Sequence, residues 1–332
     1  MTGDIDFVQL WVDGNDKNWR AEKSKYDPNH STDDTEARYR DWDTLHYWFR
    51  SVEKFAPWVR KIHLLTWGHY PKWLNLKHPK LNFVKHSDCF PPEYLPTFNS
   101  DVLELNMYRI KELSDKFVYF NDDMFITKKI EESDFFKNGL PCDMAVMNAF
   151  IPLTDFSYID FNGVWVINQH FKKNAVIKKN LLKWYNPAYG TKNFNNLFFL
   201  PWKGISRFIS WHLATPHLKK TFQEVWDAEG ELLDRVSKNK FRSREDVCEW
   251  LFRYWRLMKG DFFPSSVSKL GKFFRISANR KDNDLVYKSI REQKYKIICL
   301  NDTNDILDFE AEKQKLKETF ECIFPEKSSY EL

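Results

Sequence analysis

No stretch of about 18 consecutive apolar residues occurs in the 332-residue chain, so a membrane-spanning helix is not expected. The first six residues, Met-Thr-Gly-Asp-Ile-Asp, carry acids where an export signal carries Lys or Arg and an apolar stretch, so no export is expected. Five cysteines (Cys89, Cys142, Cys248, Cys299 and Cys322) are scattered, odd in number and without C-x-x-C spacing. They read as reduced thiols in a cytoplasmic protein, not as a disulfide frame or zinc site. G-x-G-x-x-G, G-x-x-x-x-G-K-[ST], G-x-S-x-G and H-E-x-x-H are all missing, which argues against dinucleotide oxidoreductases, P-loop kinases, serine hydrolases and zincins. Acidic residues are missing from one long stretch. The 63 positions between Asp160 and Glu224 hold none, but they hold ten Lys and Arg. Net charge is only +4, so the remainder is net acidic, which weakens a nucleic-acid-binding reading.

What is present is 42% hydrophobic and 30% charged, a globular composition with an aromatic share of 17%. Aromatics and an uneven positive charge favour an anionic or sugar-bearing partner. The first 150 residues alternate strand and helix signals. Ile5–Val12, Lys61–Trp67, Asn82–Lys85 and Lys116–Phe120 read as strands, and Asp43–Phe55 and Ser100–Leu113 as helices. Such alternation predicts a mostly parallel sheet flanked by helices. Beyond Phe150, helices are expected at Asn174–Trp184, at Thr215–Trp226 (with Pro216 in its first turn), at Ser243–Met258 and at Asp308–Phe320. Lys296–Leu300 reads as a late strand. The expected division is an α/β core at 1–150, a basic aromatic segment at 151–230 and a helical segment with a late strand at 231–332.

Three expected strands end in Asp or Asn clusters: Asp13 with Asp16, Asn121-Asp122-Asp123, and Asn301-Asp302. Carboxyl ends of strands are where open α/β sheets bind ligands, and converging carboxylates there suit Mg²⁺. Asp and Asn are also ordinary turn residues, the simpler account of Asp13-Gly14. Asn121-Asp122-Asp123 is different, because apolar sequence flanks it on both sides and a buried carboxylate needs a partner or a metal. Arg38, Arg40, Arg50, Arg60 and Arg242 are candidates for phosphate oxygens, each more often a solvated surface residue. Arg242 stands out because it adjoins an expected helix start, although Ser243 with Asp246 also fits a simple capping box. His217, expected at a helix N-terminus, would stay neutral there and able to accept a proton; His212 competes with it, and a packed core histidine is the commoner outcome.

Together these clusters resemble the Stealth family of sugar-phosphate transferases, which includes bacterial capsular polysaccharide phosphotransferases and the lysosomal-enzyme N-acetylglucosamine-1-phosphotransferase. Four blocks carry the likeness. The first is Ile5–Asp16. The second runs from Arg40-Asp41 through Ser51–Lys61, Pro71–Asn75 and Leu95–Ser100 to Tyr119–Phe125. The third is Thr215–Leu218, and the fourth is Phe241–Asp246 followed by Cys299–Asp302. The resemblance implies a GT-A-like core and transfer of hexose 1-phosphate or N-acetylhexosamine 1-phosphate from a UDP-sugar to a hydroxyl of a growing cell-surface glycan. A phosphodiester would form and UMP would leave. It further implies Asp123 and Asp302 as ligands of Mg²⁺ or Mn²⁺, His217 as base with Asp123 as the alternative, and Arg242 as diphosphate clamp helped by Arg40. Trp11, Asp13, Gly14, Asn99 and Asn121 would lie near the nucleotide. The acceptor is expected to be a glycan, lipid-linked or free, met by the basic aromatic segment, which is also suited to peripheral contact with the inner face of the cell membrane. Competing readings are an ordinary glycosyltransferase, a polyol-phosphate transferase and a non-catalytic glycan-binding module.

Overall fold

The structure, a computed structural model, describes residues 4–27 and 40–332; Arg38 lies outside them. Eleven strands are described. They are β1 (Ile5–Leu10), β2 (Ile62–Thr66), β3 (Leu81–Lys85), β4 (Lys116–Phe120), β5 (Met124–Ile126), β6 (Phe136–Lys137), β7 (Leu140–Asp143), β8 (Thr215–Leu218), β9 (Phe263–Pro264), β10 (Gly271–Ile276) and β11 (Ile297–Asp302). The main sheet has the order β3-β2-β1-β4-β8. Its first four strands are parallel and β8 runs antiparallel at the edge. A second sheet, β10-β11-β5, and a third, β6-β7-β9, flank it.

Alternation along the central strands divides the core in two. Ile5 and Phe7 of β1 and Val118 and Phe120 of β4 face one cluster. That cluster includes α2 (Leu45–Phe55), α7 (Arg280–Arg291), α8 (Phe309–Ile323) and the second sheet. Val8 and Leu10, with Phe117 and Tyr119, face another, built with α3 (Ser100–Asn106), α4 (Asp155–His170), α5 (Lys219–Ser237) and α6 (Trp250–Lys259). Helices thus cover both faces, as a buried parallel sheet requires. All of β1 is buried, including Asp6. Burial alone would raise that carboxyl, but hydrogen bonds from His63 and Arg60 outweigh it and hold it below the usual range.

The strand expectations hold to within a residue or two, and the helix expectations fare less well. Thr215–Leu218 is not the first turn of a helix but strand β8, and α5 starts at Lys219. Thr-Pro opens helices and also suits an edge strand, where a missing N–H goes unused. The Ser243–Met258 helix is confined to α6. Ser243 N–H donates to Asp246 Oδ2 (2.8 Å), but Asn99 and Asn239 hold that carboxylate from the other side (2.8 and 2.6 Å), so the pair closes a turn instead of opening a helix. Ser100–Leu113 breaks after Asn106 into a 3₁₀ turn, and Asn174–Trp184 forms two short helices, Lys173–Lys179 and Leu181–Trp184. The sheets also draw on all three sequence segments. β8, from the middle one, completes the main sheet, and β11, from the last, pairs with β5.

Candidate active site

In the main sheet β2 lies on one side of β1 and β4 on the other, so strand order reverses there. A crevice opens outside the carboxyl ends of strands at such a reversal. Here it is a cleft of about 1580 Å³, lined by Trp11, Arg40, Asn99, Glu104, Asn121, Asp122, Asp123, His212, Arg242, Arg275 and Asp302 among others.

Asn121-Asp122-Asp123 makes the tight turn from β4 to β5, closed by Met124 N–H on Asn121 O (3.2 Å). The turn is docked to β11 by Leu300 N–H on Asp123 O (2.8 Å). Beside it, Cys299 Sγ donates to Asp123 Oδ2 (3.0 Å). Burial and the Asp123 charge push the Cys299 thiol well up, so it stays a donor. His212 Nε2 lies 3.9 Å from the same oxygen, and its side chain is one-third exposed to the cleft. Ligand atoms of Asp123, His212 and Cys299 all lie within 4.8 Å of one another. His212 holds φ at 45°, in the left-handed region that non-glycine residues seldom adopt and that its surroundings must therefore hold. Asp123 Oδ1 is buried without a hydrogen-bond partner, an arrangement a bound cation would relieve. Asp122 is accessible from the cleft yet crowded by protein. That crowding, with the Asp123 charge, pushes its carboxyl up to about 7.

Asp123, Arg242 and Asp302 therefore share one cleft, but each has its own partner. Arg40 forks onto both oxygens of Asp302, and Trp42 Nε1 adds a bond to Asp302 Oδ2 (3.0 Å). Asp302 is thus not paired with Asp123. It stands three residues from Cys299 on β11, an odd spacing that puts the two side chains on opposite faces. Arg242 turns onto Asp101 (3.1 and 3.2 Å) and Ser100 Oγ (2.7 Å) and lies over the Phe156 ring.

Other expectations need correction. His217 is 1% exposed in β8, packed between Phe117 and Phe222, with Nε2 3.2 Å from Glu249 Oε2. Burial lowers its pKa, it does not line the cleft, and the helix N-terminus invoked for it does not exist. Asp13 and Gly14 also stay out of the cleft lining. Asp13 Oδ1 accepts from Asn15 N–H (2.8 Å) and Gly14 O accepts from Arg20, which is turn chemistry ahead of α1 (Lys17–Tyr26). Asn99 is buried as the cap of α3. Its oxygen accepts from Asp101 N–H (3.1 Å) and its amide donates to Asp246. Asn121 lines the cleft and accepts from Tyr119 Oη. Trp11 lines it too, edge-on to His69. Most large aromatics of the basic segment expected to meet the acceptor, Trp165, Trp184, Tyr185, Tyr189, Phe198, Phe199 and Trp202, do not line the cleft.

Three further residues of the cleft carry no signal in the sequence. Arg275, on β10, is exposed at the rim and has no carboxylate partner among the described residues. His86 follows β3 in the cleft wall; burial drives it down to about 3, and neither ring nitrogen has a partner. Glu104 is buried between Tyr119 Oη (3.0 Å) and Glu249 N–H (3.1 Å), its carboxyl raised by burial and by Asp101 and Glu249. None sits in a pattern that separates it from an ordinary strand or helix residue.

An acid-rich cleft at the reversal of a parallel sheet, with a partly exposed imidazole and several arginines, is the layout of an α/β enzyme. Comparison with known proteins narrows this. Residues 3–31, 38–143 and 288–332 match conserved regions 1, 2 and 4 of Stealth proteins. The chain is 45% identical to the capsular polysaccharide phosphotransferase WcwK of Streptococcus pneumoniae, over the full length of both. It is 37% identical to the exopolysaccharide phosphotransferase cps2G of Lactiplantibacillus plantarum, covering 99% of this chain and 96% of that one. It is 36% identical to the receptor polysaccharide phosphotransferase WefC of Streptococcus gordonii, over the full length of both. The chain belongs to the Stealth family and is a phosphotransferase. Asp123 and Asp302 lie in the matched regions, whereas His212, His217 and Arg242 lie between them.

Proposed function

We propose that this phosphotransferase acts in the synthesis of a cell-surface polysaccharide, moving hexose 1-phosphate or N-acetylhexosamine 1-phosphate from a UDP-sugar to a hydroxyl of the growing glycan. The names of its relatives support the polymer, and the β3-β2-β1-β4 order, shared with nucleotide-binding sheets, supports the donor class. The observation that carries the chemistry is the partly exposed imidazole of His212 beside Asp123 in the switch-point cleft. The acceptor hydroxyl attacks the β-phosphorus and gives its proton to His212 Nε2. The new oxygen–phosphorus bond forms as the bond to the bridging oxygen breaks, and UMP leaves with that oxygen. The sugar's anomeric bond is untouched.

Positioning and charge neutralisation do most of the work in such a transfer. Arg275, without a carboxylate partner among the described residues, would meet the phosphoryl oxygens, while Arg40 and Arg242 add positive charge already fixed by Asp302 and Asp101. Trp11 and His86 would wall the nucleobase. Asp123, with its unpartnered Oδ1, and Asp122 would hold Mg²⁺ or Mn²⁺; carboxylate oxygens suit either ion. An ion held there would supply positive charge against the diphosphate oxygens. Asp302 is left out of this set because Arg40 and Trp42 occupy it.

The test is a donor screen with acceptor oligosaccharide, read by phosphorus-31 NMR and by the nucleotide released. A new phosphodiester signal with UMP is expected. Release of UDP with no phosphodiester would mean simple glycosyl transfer, and release of CMP from a CDP-polyol would move the donor class.

A further inference from the structure

Twelve of the eighteen exposed large hydrophobic residues among those described fall between residues 151 and 202. A patch of this density marks an interaction surface. The part from Lys172 to Lys203 is built to hold its apolar side chains outward. Helix Leu181–Trp184 buries Trp184 and exposes Leu181 and Leu182, the latter 81%. Helix Asn193–Phe198 is pinned by buried Asn196, whose amide donates to Ala145 O (2.7 Å) and Trp184 O (2.8 Å) and whose oxygen accepts from Met147 N–H (2.8 Å). That leaves Phe194, Leu197 and Phe198 exposed, Phe198 at 70%. The following loop is held by the buried amine of Lys173, which donates to Phe199 O (2.7 Å), Leu200 O (2.9 Å) and Trp202 O, while Trp202 stays outside. These anchors also tie the three pieces into one platform. An amine and an amide are buried to display apolar tips, which water alone gives no reason to do.

The charge around the tips selects the partner. Lys172, Lys178, Lys179 and Lys203 are exposed on the same stretch, and no acid occurs between residues 161 and 223. Aromatic and leucine tips on a stretch that carries exposed lysines and no acid of its own match the interface of an anionic bilayer, where the tips enter the headgroup region and the lysines stay at its surface. No described helix is long and apolar enough to cross a membrane, so the contact is peripheral. Leu182 is at once part of the patch and part of the cleft lining, so the platform borders the active site.

We propose that the platform formed by residues 172–203 docks this protein on an anionic lipid bilayer. The docking does not depend on the donor or linkage proposed above. That reading adds only that the cleft would open beside lipid-borne acceptors.

The test is flotation of the full chain with vesicles of phosphatidylcholine alone or with 30 mol% phosphatidylglycerol. Binding is expected with the anionic vesicles and should weaken steeply in high salt. F194S/F198S and K178E/K179E should each lower the partition coefficient about tenfold or more. Neither pair lines the cleft, so activity on a soluble acceptor should stay near that of the unaltered chain, which also shows that the variants fold. No partition of the unaltered chain, or equal partition by both variants, overturns the proposal. So does a dimer in sedimentation velocity that F194S/F198S abolishes, since the tips would then face a second copy. Lack of any transferase activity, with vesicle binding intact, would count against the function alone.

Discussion

Two histidines five residues apart meet opposite fates, and the contrast yields the sharpest test at the level of single side chains. His212 faces the cleft beside Asp123, while His217 is sealed against Glu249 and two phenylalanines. His212→Ala should lower kcat by about 10²–10⁴-fold, the usual worth of a general base, with donor KM little changed. His217→Ala should leave kcat within a few-fold but cost about 1–3 kcal/mol in urea unfolding, because Glu249 loses its buried partner. The reverse pattern would return the base to His217. Asp123→Asn should weaken Mn²⁺ binding, measured by calorimetry without substrate, whereas Asp302→Asn should leave it unchanged, since that carboxylate is occupied by Arg40. Asp123 could be picked out from sequence because apolar residues flank its cluster. His212 could be named only as a competitor to His217, because its distinction is a left-handed backbone and a neighbour 89 positions away.

Among the elements, local pattern was sufficient where burial has a simple period. β4 appears where its apolar run predicts it, and β1, β2 and β11 lie within two residues of their signals. It failed where two elements share a signature, as at Thr215-Pro216, or where a long-range bond stops a helix, as at Asp246. The joint between β7 and α6 shows such a bond at full strength. Buried Asp143 accepts two bonds from Arg253 (2.9 and 2.8 Å) and one from Arg256 (2.8 Å). Asp143→Asn would leave two buried guanidiniums short of a counter-charge, and about 3–5 kcal/mol of stability should be lost, read as a lower urea midpoint. A change within 1 kcal/mol would mean that solvent reaches those arginines.

For the whole molecule, two buried acids, Glu104 in the cleft wall and Asp246 beside it, set a pH dependence. Burial raises Asp246 to about 6 and also raises Glu104 above the normal carboxyl range. A carboxyl whose folded pKa is raised binds its proton more tightly in the native state. Folding stability should therefore fall as pH climbs from about 4 to 6 through Asp246, and fall further as Glu104 ionises. Glu104→Gln should flatten the upper part of that decline in denaturation midpoints measured from pH 4 to 9; an unchanged slope would assign it elsewhere. Asp6 and Asp143, both lowered by their partners against the pull of burial, act oppositely and withdraw stability in strong acid. By itself the sequence determined the α/β alternation, the strand-end acids, the acid-free basic stretch and the family likeness, because periodicity, turn chemistry and charge are written along the chain. Only the tertiary structure decided which acid pairs with which base, which histidine sees solvent, and that the aromatic stretch shows its tips outward instead of lining the cleft. Those outcomes depend on distances between residues tens to hundreds of positions apart, which no local pattern encodes.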